Sequence, residues 1–258
     1  MAGLLDFGNA HFVQGSTVES AGRPIQGHKL FSRHRPEGSR NREPVVITAA
    51  QGGDERQDAR RVDASWLPAA AKTYNVSPKL SDYLLVDVPI VTVPLPNKNM
   101  QAFSKEEILT FDPLLGCQIY KSFRGAAAHF EHDNRDPLKA RGVVFDSVLI
   151  PVPEYDVLKI SILMGFDRTK DRDLVRDIES GKRTGYSMGA LVKAFVCSIT
   201  GQIVTVDGGD YKRRQVVNVG GQPRLCYHFC TGSNFFECSS VANPADVTAH
   251  GDIMSMLA

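Results

Sequence analysis

The sequence predicts a mainly β protein with a few short helices, an α+β chain built on an antiparallel sheet or barrel. Three observations carry that expectation. Short runs rich in β-branched and aromatic residues recur from Tyr83 to Val241, separated by Gly, Pro, Asn and Asp. Helical patterning is confined to two brief segments. No apolar stretch approaches the roughly 18 residues that a membrane helix needs.

Up to about residue 80, short apolar pieces alternate with Gly, Pro, Ser, Gln and Arg, and no period persists beyond Pro44-Val45-Val46-Ile47-Thr48. Residues 1–80 therefore read as an extended arm, a propeptide or tether dispensable for chemistry, with 81–249 as the folded domain and 250–258 as a tail. Within the arm, Arg23, Lys29, Arg33, Arg35, Arg40 and Arg42 face one acid, Glu37. Such a segment reads as a solvated tail or as a contact for an acidic partner or nucleic acid.

Tyr83–Val93 reads as one or two strands with Pro89 at an edge or bulge, since proline cannot donate to a ladder. Ser104 followed by Glu107 is a capping box and opens a short helix. Gly142–Ile150 and Val157–Met164 are strands, the second with Leu158, Ile160, Ile162 and Met164 alternating with Lys159 and Ser161. Asp171–Ser180 is an amphipathic helix, apolar at Leu174, Val175 and Ile178 and stopped by Gly181. Leu191–Val196, Gln202–Val206 and Val216–Val219 are strand-like, with Asp207-Gly208-Gly209-Asp210 as a turn, and Phe235 opens a last strand toward Pro244.

The net charge of +1 sets no global preference for nucleic acid or acidic membranes. The start, Met1-Ala2-Gly3-Leu4-Leu5-Asp6, lacks the features of a secretory signal, so a soluble intracellular protein is expected. Five cysteines, odd in number and mostly late in the chain, predict reduced thiols.

The chemistry concentrates at Gly185-Tyr186-Ser187-Met188-Gly189. A serine hydroxyl attacks a carbonyl only if a base takes its proton and a third group orients that base. The flanking glycines read as a Gly-rich turn that frees nearby amides for an oxyanion. The pattern also satisfies the α/β-hydrolase elbow, with Asp207 or Asp210 and His228 or His250 completing a triad, but that elbow needs a buried strand just before the serine. Here Glu179-Ser180-Gly181-Lys182-Arg183-Thr184 precedes it. The alternative order takes His132 as base, then Ser187, then a later acid. His129 and His132 precede Asp133-Asn134-Arg135-Asp136-Pro137, a turn that argues against a helical metal pair, so one of the two is expected to face the site.

Four segments then match a known family in its order: Pro96 to Phe103; Glu131 to Pro137 with Ala140 to Val144; Ser180-Gly181 through Tyr186-Ser187-Met188-Gly189; and Glu237 to Ala245. From about Tyr83 to Ala249 the chain resembles the prohead (capsid maturation) proteases of tailed bacteriophages, which share the fold of herpesvirus assemblins. The resemblance implies an assemblin-like β-barrel ringed by helices and a serine endopeptidase without a cofactor. Ser187 would be its nucleophile, His132 its base and Glu237 its orienting acid. Assemblins use a second histidine, which keeps His228 as the competing third member. By the same resemblance the substrates are scaffold or core proteins, the capsid protein and the enzyme itself, cleaved in the host cytoplasm inside the procapsid. Retention in the virion and self-association stay open. Relatives often carry Cys-x-x-Cys-Gly and a later Cys-x-His. This chain reads Cys197-Ser198-Ile199-Thr200-Gly201 with Cys226, His228 and Cys230, so buried thiols are expected rather than zinc.

Overall fold

The computed structural model describes residues 11–14, 18–20, 62, 64–205 and 208–254. The basic segment from Arg23 to Arg42 and Asp207 lie outside the described residues. In chain order the elements are β1 (His11–Gln14), β2 (Val18–Ser20), α1 (Leu67–Tyr74), β3 (Tyr83–Val93), β4 (Gln101–Phe103), α2 (Lys105–Leu109), β5 (Phe111–Asp112) and β6 (Cys117–Gln118). After a 3-10 turn at Ile119–Phe123 come β7 (Ala127–Phe130), β8 (Gly142–Val152), β9 (Val157–Asp167), α3 (Arg172–Glu179), β10 (Tyr186–Val192) and β11 (Ala194–Cys197). The chain ends with β12 (Ile203–Val204), β13 (Val216–Val219), β14 (Gln222–Leu225), β15 (His228–Thr231), β16 (Asn234–Ser240) and β17 (Asp252–Met254).

The protein is mainly β with few short helices, and its principal sheet is curled into a half-barrel. That sheet has nine strands in the order β17-β3-β9-β8-β7-β16-β10-β1-β2. A four-stranded sheet, β12-β11-β15-β4, lies beside it. The sheets are not wholly antiparallel: β7 pairs parallel to β16, and β4 parallel to β15. Each parallel pair joins strands more than a hundred residues apart, which no local pattern reveals. The curl brings β10 back toward β3. Tyr186 N–H donates to Ala249 O at 2.9 Å, Gly251 N–H donates to Thr184 O at 3.0 Å, and Gly185 bridges His250. The next residues, β17, pair with β3, so residues 249–254 span the gap between the two strands.

Local chemistry explains the elements. In β3, Pro89 sits at a register shift against β9, where its missing N–H breaks no ladder bond. Ser104 Oγ accepts from Glu107 N–H at 3.0 Å to cap α2, and Asp171 Oδ1 accepts from Leu174 N–H at 3.0 Å to cap α3. Helix α3 buries Leu174, Val175 and Ile178, the residues its periodicity marks. The late hairpin turns at Gly220 and Gly221, with φ of 59° and 83°, conformations that favour glycine.

Two apolar layers hold the sheet. Inside the curl, Val86, Val88, Ile162, Met164, Tyr186, Met188 and Phe235 meet, with Phe123 stacked on Phe235 at 4.0 Å between centroids. On the outer face, Trp66, Leu67, Ala70 and Tyr74 pack on Tyr83, Leu85, Val143, Phe145 and Leu163.

Helix α1 lies in the segment read from the sequence as an arm, as do β1 and β2, which add to the edge of β10, and the core of the outer face takes in residues from Trp66 rather than from near residue 80. Leu67-Pro68-Ala69-Ala70-Ala71 is apolar on every side and so carries no legible period, and only the sheet face opposite completes the helix's core. A chain beginning at Ser77 loses five buried apolar side chains, Trp66, Leu67, Ala70, Tyr74 and Val76, each contributing about 1.5–3 kcal/mol in the larger cases, a sum comparable to a whole domain's stability. It is expected to be insoluble or to lack a cooperative melt, whereas a chain beginning at Val62 melts cooperatively. Calorimetry of the two chains checks this. Among the described residues no helix is long and apolar enough to cross a membrane.

Candidate active site

Ser187 is not in a turn. It lies inside β10, paired with Ser239 of β16, and the flanking glycines serve packing. A Cβ on Gly189 would stand 2.6 Å from Glu237 Oε1 and 2.8 Å from Glu237 Cγ; one on Gly185 would stand 2.7 Å from Val241 O. Gly189 therefore leaves the room into which the Glu237 side chain folds. The strand context also removes the elbow, which places its serine at a strand-to-helix turn. Gly189→Ala is expected to displace Glu237 and lower stability by about 1–3 kcal/mol, the usual cost of overpacking. A melting temperature within a degree of the parent would show that the space is not needed.

Register decides which side chains meet. Partners across a ladder share a face, so Ser187, Gly189, Glu237, Ser239, Ala127 and His129 lie on the same face of β10, β16 and β7. At the end of β7, Glu131 N–H donates to Ser240 O at 3.0 Å, and then Glu131 and His132 both adopt left-handed backbone, φ 47° and 56°. For non-glycine residues that conformation costs on the order of 1 kcal/mol each. Asn134 N–H to His132 O at 2.8 Å closes the turn, and Glu131 Oε1 anchors it by accepting from Arg183 Nη1 at 2.8 Å and Ala242 N–H at 3.1 Å. Arg183 in turn lies over the Phe130 ring, 4.4 Å from its centroid.

The turn brings His132 back to β16. Its Nδ1 lies 2.8 Å from Glu237 Oε1, while Ser239 Oγ donates to Glu237 Oε2 at 2.8 Å. Glu237 is fully buried, and a carboxylate accepts but does not donate, so Nδ1 carries the proton and Nε2 is left as a lone-pair acceptor. Ser187 stands one strand spacing, about 4.8 Å, from Ser239 on that face. Ser187 Oγ and His132 Nε2 are both buried, and neither makes a hydrogen bond. The direct bond between them is not formed here; such bonds are often long without substrate and tighten around it. His129, level with Ser239, is also buried, and burial holds its imidazole pKa below the ordinary value. Both histidines thus belong to this face, where the sequence led to an expectation of one.

The other candidates fall elsewhere. His228 lies on β15 in the second sheet, opposite Cys197 and Gln101. Asp210 is exposed on a loop, and His250 is exposed with Nδ1 3.2 Å from Thr184 Oγ1. Cys197 and Cys226 approach at 3.7 Å between sulfurs, and Cys226 Sγ is 3.7 Å from Tyr211 O. Among the described residues no group of three or more His, Cys, Asp or Glu is arranged to hold a metal.

An open cleft adjoins Ser187 and Met188, between them and Ile90–Thr92 of β3, with Gln101, Phe103 and Asp246 in its walls. It opens on the edge of β10 that faces away from β16. Tyr186 N–H points to that edge, and by the two-residue alternation so does Met188 N–H. On either side the edge is taken, by Ala249 at Tyr186 and by β1, whose described part ends with Gln14 opposite Gly189.

No family model, curated protein or solved structure matches the chain. The site therefore rests on its own geometry. The sequence reading gave Gly189 the role of a turn residue and gave Ser239 none, although Ser239 follows Glu237 by two residues, the spacing that places both on one face of a strand.

Proposed function

We propose that the protein is a serine endopeptidase that matures a phage head, cleaving scaffold, capsid protein and itself within the immature shell. The single observation that carries the chemistry is the buried Glu237–His132 hydrogen bond with an unbonded His132 Nε2 on the face that holds the unbonded Ser187 hydroxyl. The assignment to head maturation rests on the resemblance, and it is supported by where its four segments fall. Asn97–Phe103 borders the cleft, Glu131–His132 forms the turn, Tyr186–Gly189 carries the serine and Glu237–Ala245 the acid.

In this mechanism His132 Nε2 takes the Ser187 proton as Oγ attacks a peptide carbonyl. Glu237 fixes the imidazole and stabilises its cation. Met188 N–H, directed to the cleft edge, donates to the oxyanion. The imidazolium then gives its proton to the leaving amine. Water, deprotonated by His132, attacks the remaining ester and frees Ser187. Strand pairing along the Ser187–Met188 edge would hold an extended substrate, as in other β-augmentation complexes.

Purified protein is expected to cleave itself over time on a gel and to react with a fluorophosphonate at Ser187, both effects disappearing in Ser187→Ala. A wild-type chain that is folded, inert to the phosphonate and intact on the gel would favour the alternative, a catalytically silent internal scaffold or core protein.

A further inference from the structure

Gln101 is 1 % exposed, yet neither its Oε1 nor its Nε2 makes a hydrogen bond. A buried amide left unpaired is costly, and native proteins keep few of them. Its register partner on the same face is the buried His228 of β15. The backbone N–H of Gln101 is bonded to Asn97 Oδ1 at 3.2 Å, which fixes the strand start without using the side chain. What the residue does have is a place in the wall of the cleft beside Ser187.

We infer that this cleft is the specificity pocket for the substrate side chain next to the scissile bond, and that Gln101 selects a primary carboxamide, glutamine or asparagine. The inference rests on Ser187 being the nucleophile. A primary amide offers one donor and one acceptor, so it pairs with another primary amide through two opposed N–H···O bonds. A carboxylate meets only the donor and sets its lone pairs against Oε1; an ammonium meets only the acceptor. The remaining walls, Ile90, Val91, Leu95, Phe103 and Met188, suit the methylenes of such a side chain. Asp246 is the acid of the pocket, and its carboxylate is already committed: Oδ2 accepts from Thr92 N–H at 2.8 Å and Thr92 Oγ1 at 2.7 Å, Oδ1 from Thr248 N–H at 2.9 Å and Thr248 Oγ1 at 2.6 Å. Lys159 Nζ, bonded to Thr92 Oγ1 at 2.6 Å and to Thr248 Oγ1, faces the same carboxylate, so Asp246 offers no free acceptor to a basic side chain.

The test separates binding from catalysis by using the full-length Ser187→Ala chain, labelled with ¹⁵N. Blocked tripeptides acetyl-Ala-Ala-X-amide, with X as Gln, Glu, Lys or norleucine, are titrated while the Gln101 side-chain NH₂ signals are followed, those signals being assigned by their loss in Gln101→Leu. The Gln peptide is expected to shift them and to bind at least about tenfold more tightly than the other three, since a site built to hydrogen-bond a group rejects analogues lacking it. In Gln101→Leu the preference should disappear and norleucine should bind as well as Gln, with a melting temperature no lower than the parent's. Gln101→Asn, which keeps the amide but withdraws it by one methylene, should weaken Gln binding without unfolding the chain. The inference is overturned if the four peptides bind alike, if Glu or Lys wins, or if the preference survives Gln101→Leu. Because the host chain cannot turn over, these outcomes do not depend on whether wild-type protein cleaves itself, which is the separate test of the nucleophile.

Discussion

Ser187→Ala and His132→Ala are each expected to lower turnover by on the order of 10⁶-fold, and the double variant by no more than either alone, because nucleophile and base act as one unit. The geometry behind this is the pairing of Ser187 with Ser239 and the return of His132 over the same face. Removing the hydroxyl leaves nothing to acylate. Removing the imidazole leaves a neutral hydroxyl without the Nε2 acceptor that takes its proton. Ser187→Ala should fold unchanged, as Ser187 Oγ makes no hydrogen bond whose loss would be felt; His132→Ala also removes the Nδ1–Glu237 bond and leaves the buried carboxylate with Ser239 alone, so it should fold with a lower melting temperature. The measurement is single-turnover cleavage of a peptide substrate with circular dichroism as a folding control. Activity within about tenfold of wild type in either variant would remove the mechanism.

Glu237→Gln is expected to cost about two to four orders of magnitude in kcat with the fold intact, the scale on which orienting carboxylates act in such triads. Glutamine keeps the volume that Gly189 makes available and keeps one acceptor. Its amide nitrogen, however, must face either His132 Nδ1 or Ser239 Oγ, each of which now donates to a carboxylate oxygen. If it faces His132, the imidazole is driven to the tautomer with its proton on Nε2, and the acceptor that Ser187 needs is lost. If it faces Ser239, the His132 bond survives but the charge that stabilises the imidazolium is gone. Ser239→Ala, which leaves the carboxylate in place, should cost far less. His228→Ala should be near wild type, as His228 lies in the other sheet. A dead His228→Ala beside an active Glu237→Gln would reverse the assignment.

The mainly β character, the bulge at Pro89, the cap of α2 and the apolar face of α3 were all legible along the chain, because each follows from a local rule. The capping box reports itself within four residues, and a period of 3.6 within two turns. Ser187, His132 and Glu237 were also named from the chain, by residue type, order and resemblance. Helix α1 was not legible, since its eight residues gain their stability from Tyr83, Phe145 and Leu163 rather than from their own pattern.

By itself the sequence determined the inventory: a serine, two histidines and an acid, separated by tens of residues, in a chain of short strands. Tertiary structure decided the rest. It converted the glycines around Ser187 from an apparent turn into clearance for Glu237 and Val241 O, and it placed His228 in a different sheet from His132. It also chose which acid reaches Nδ1. The physical reason is that a strand pattern fixes only the alternation of faces, whereas the parallel register of β7 on β16 and the left-handed turn at Glu131–His132 depend on hydrogen bonds between segments about a hundred residues apart.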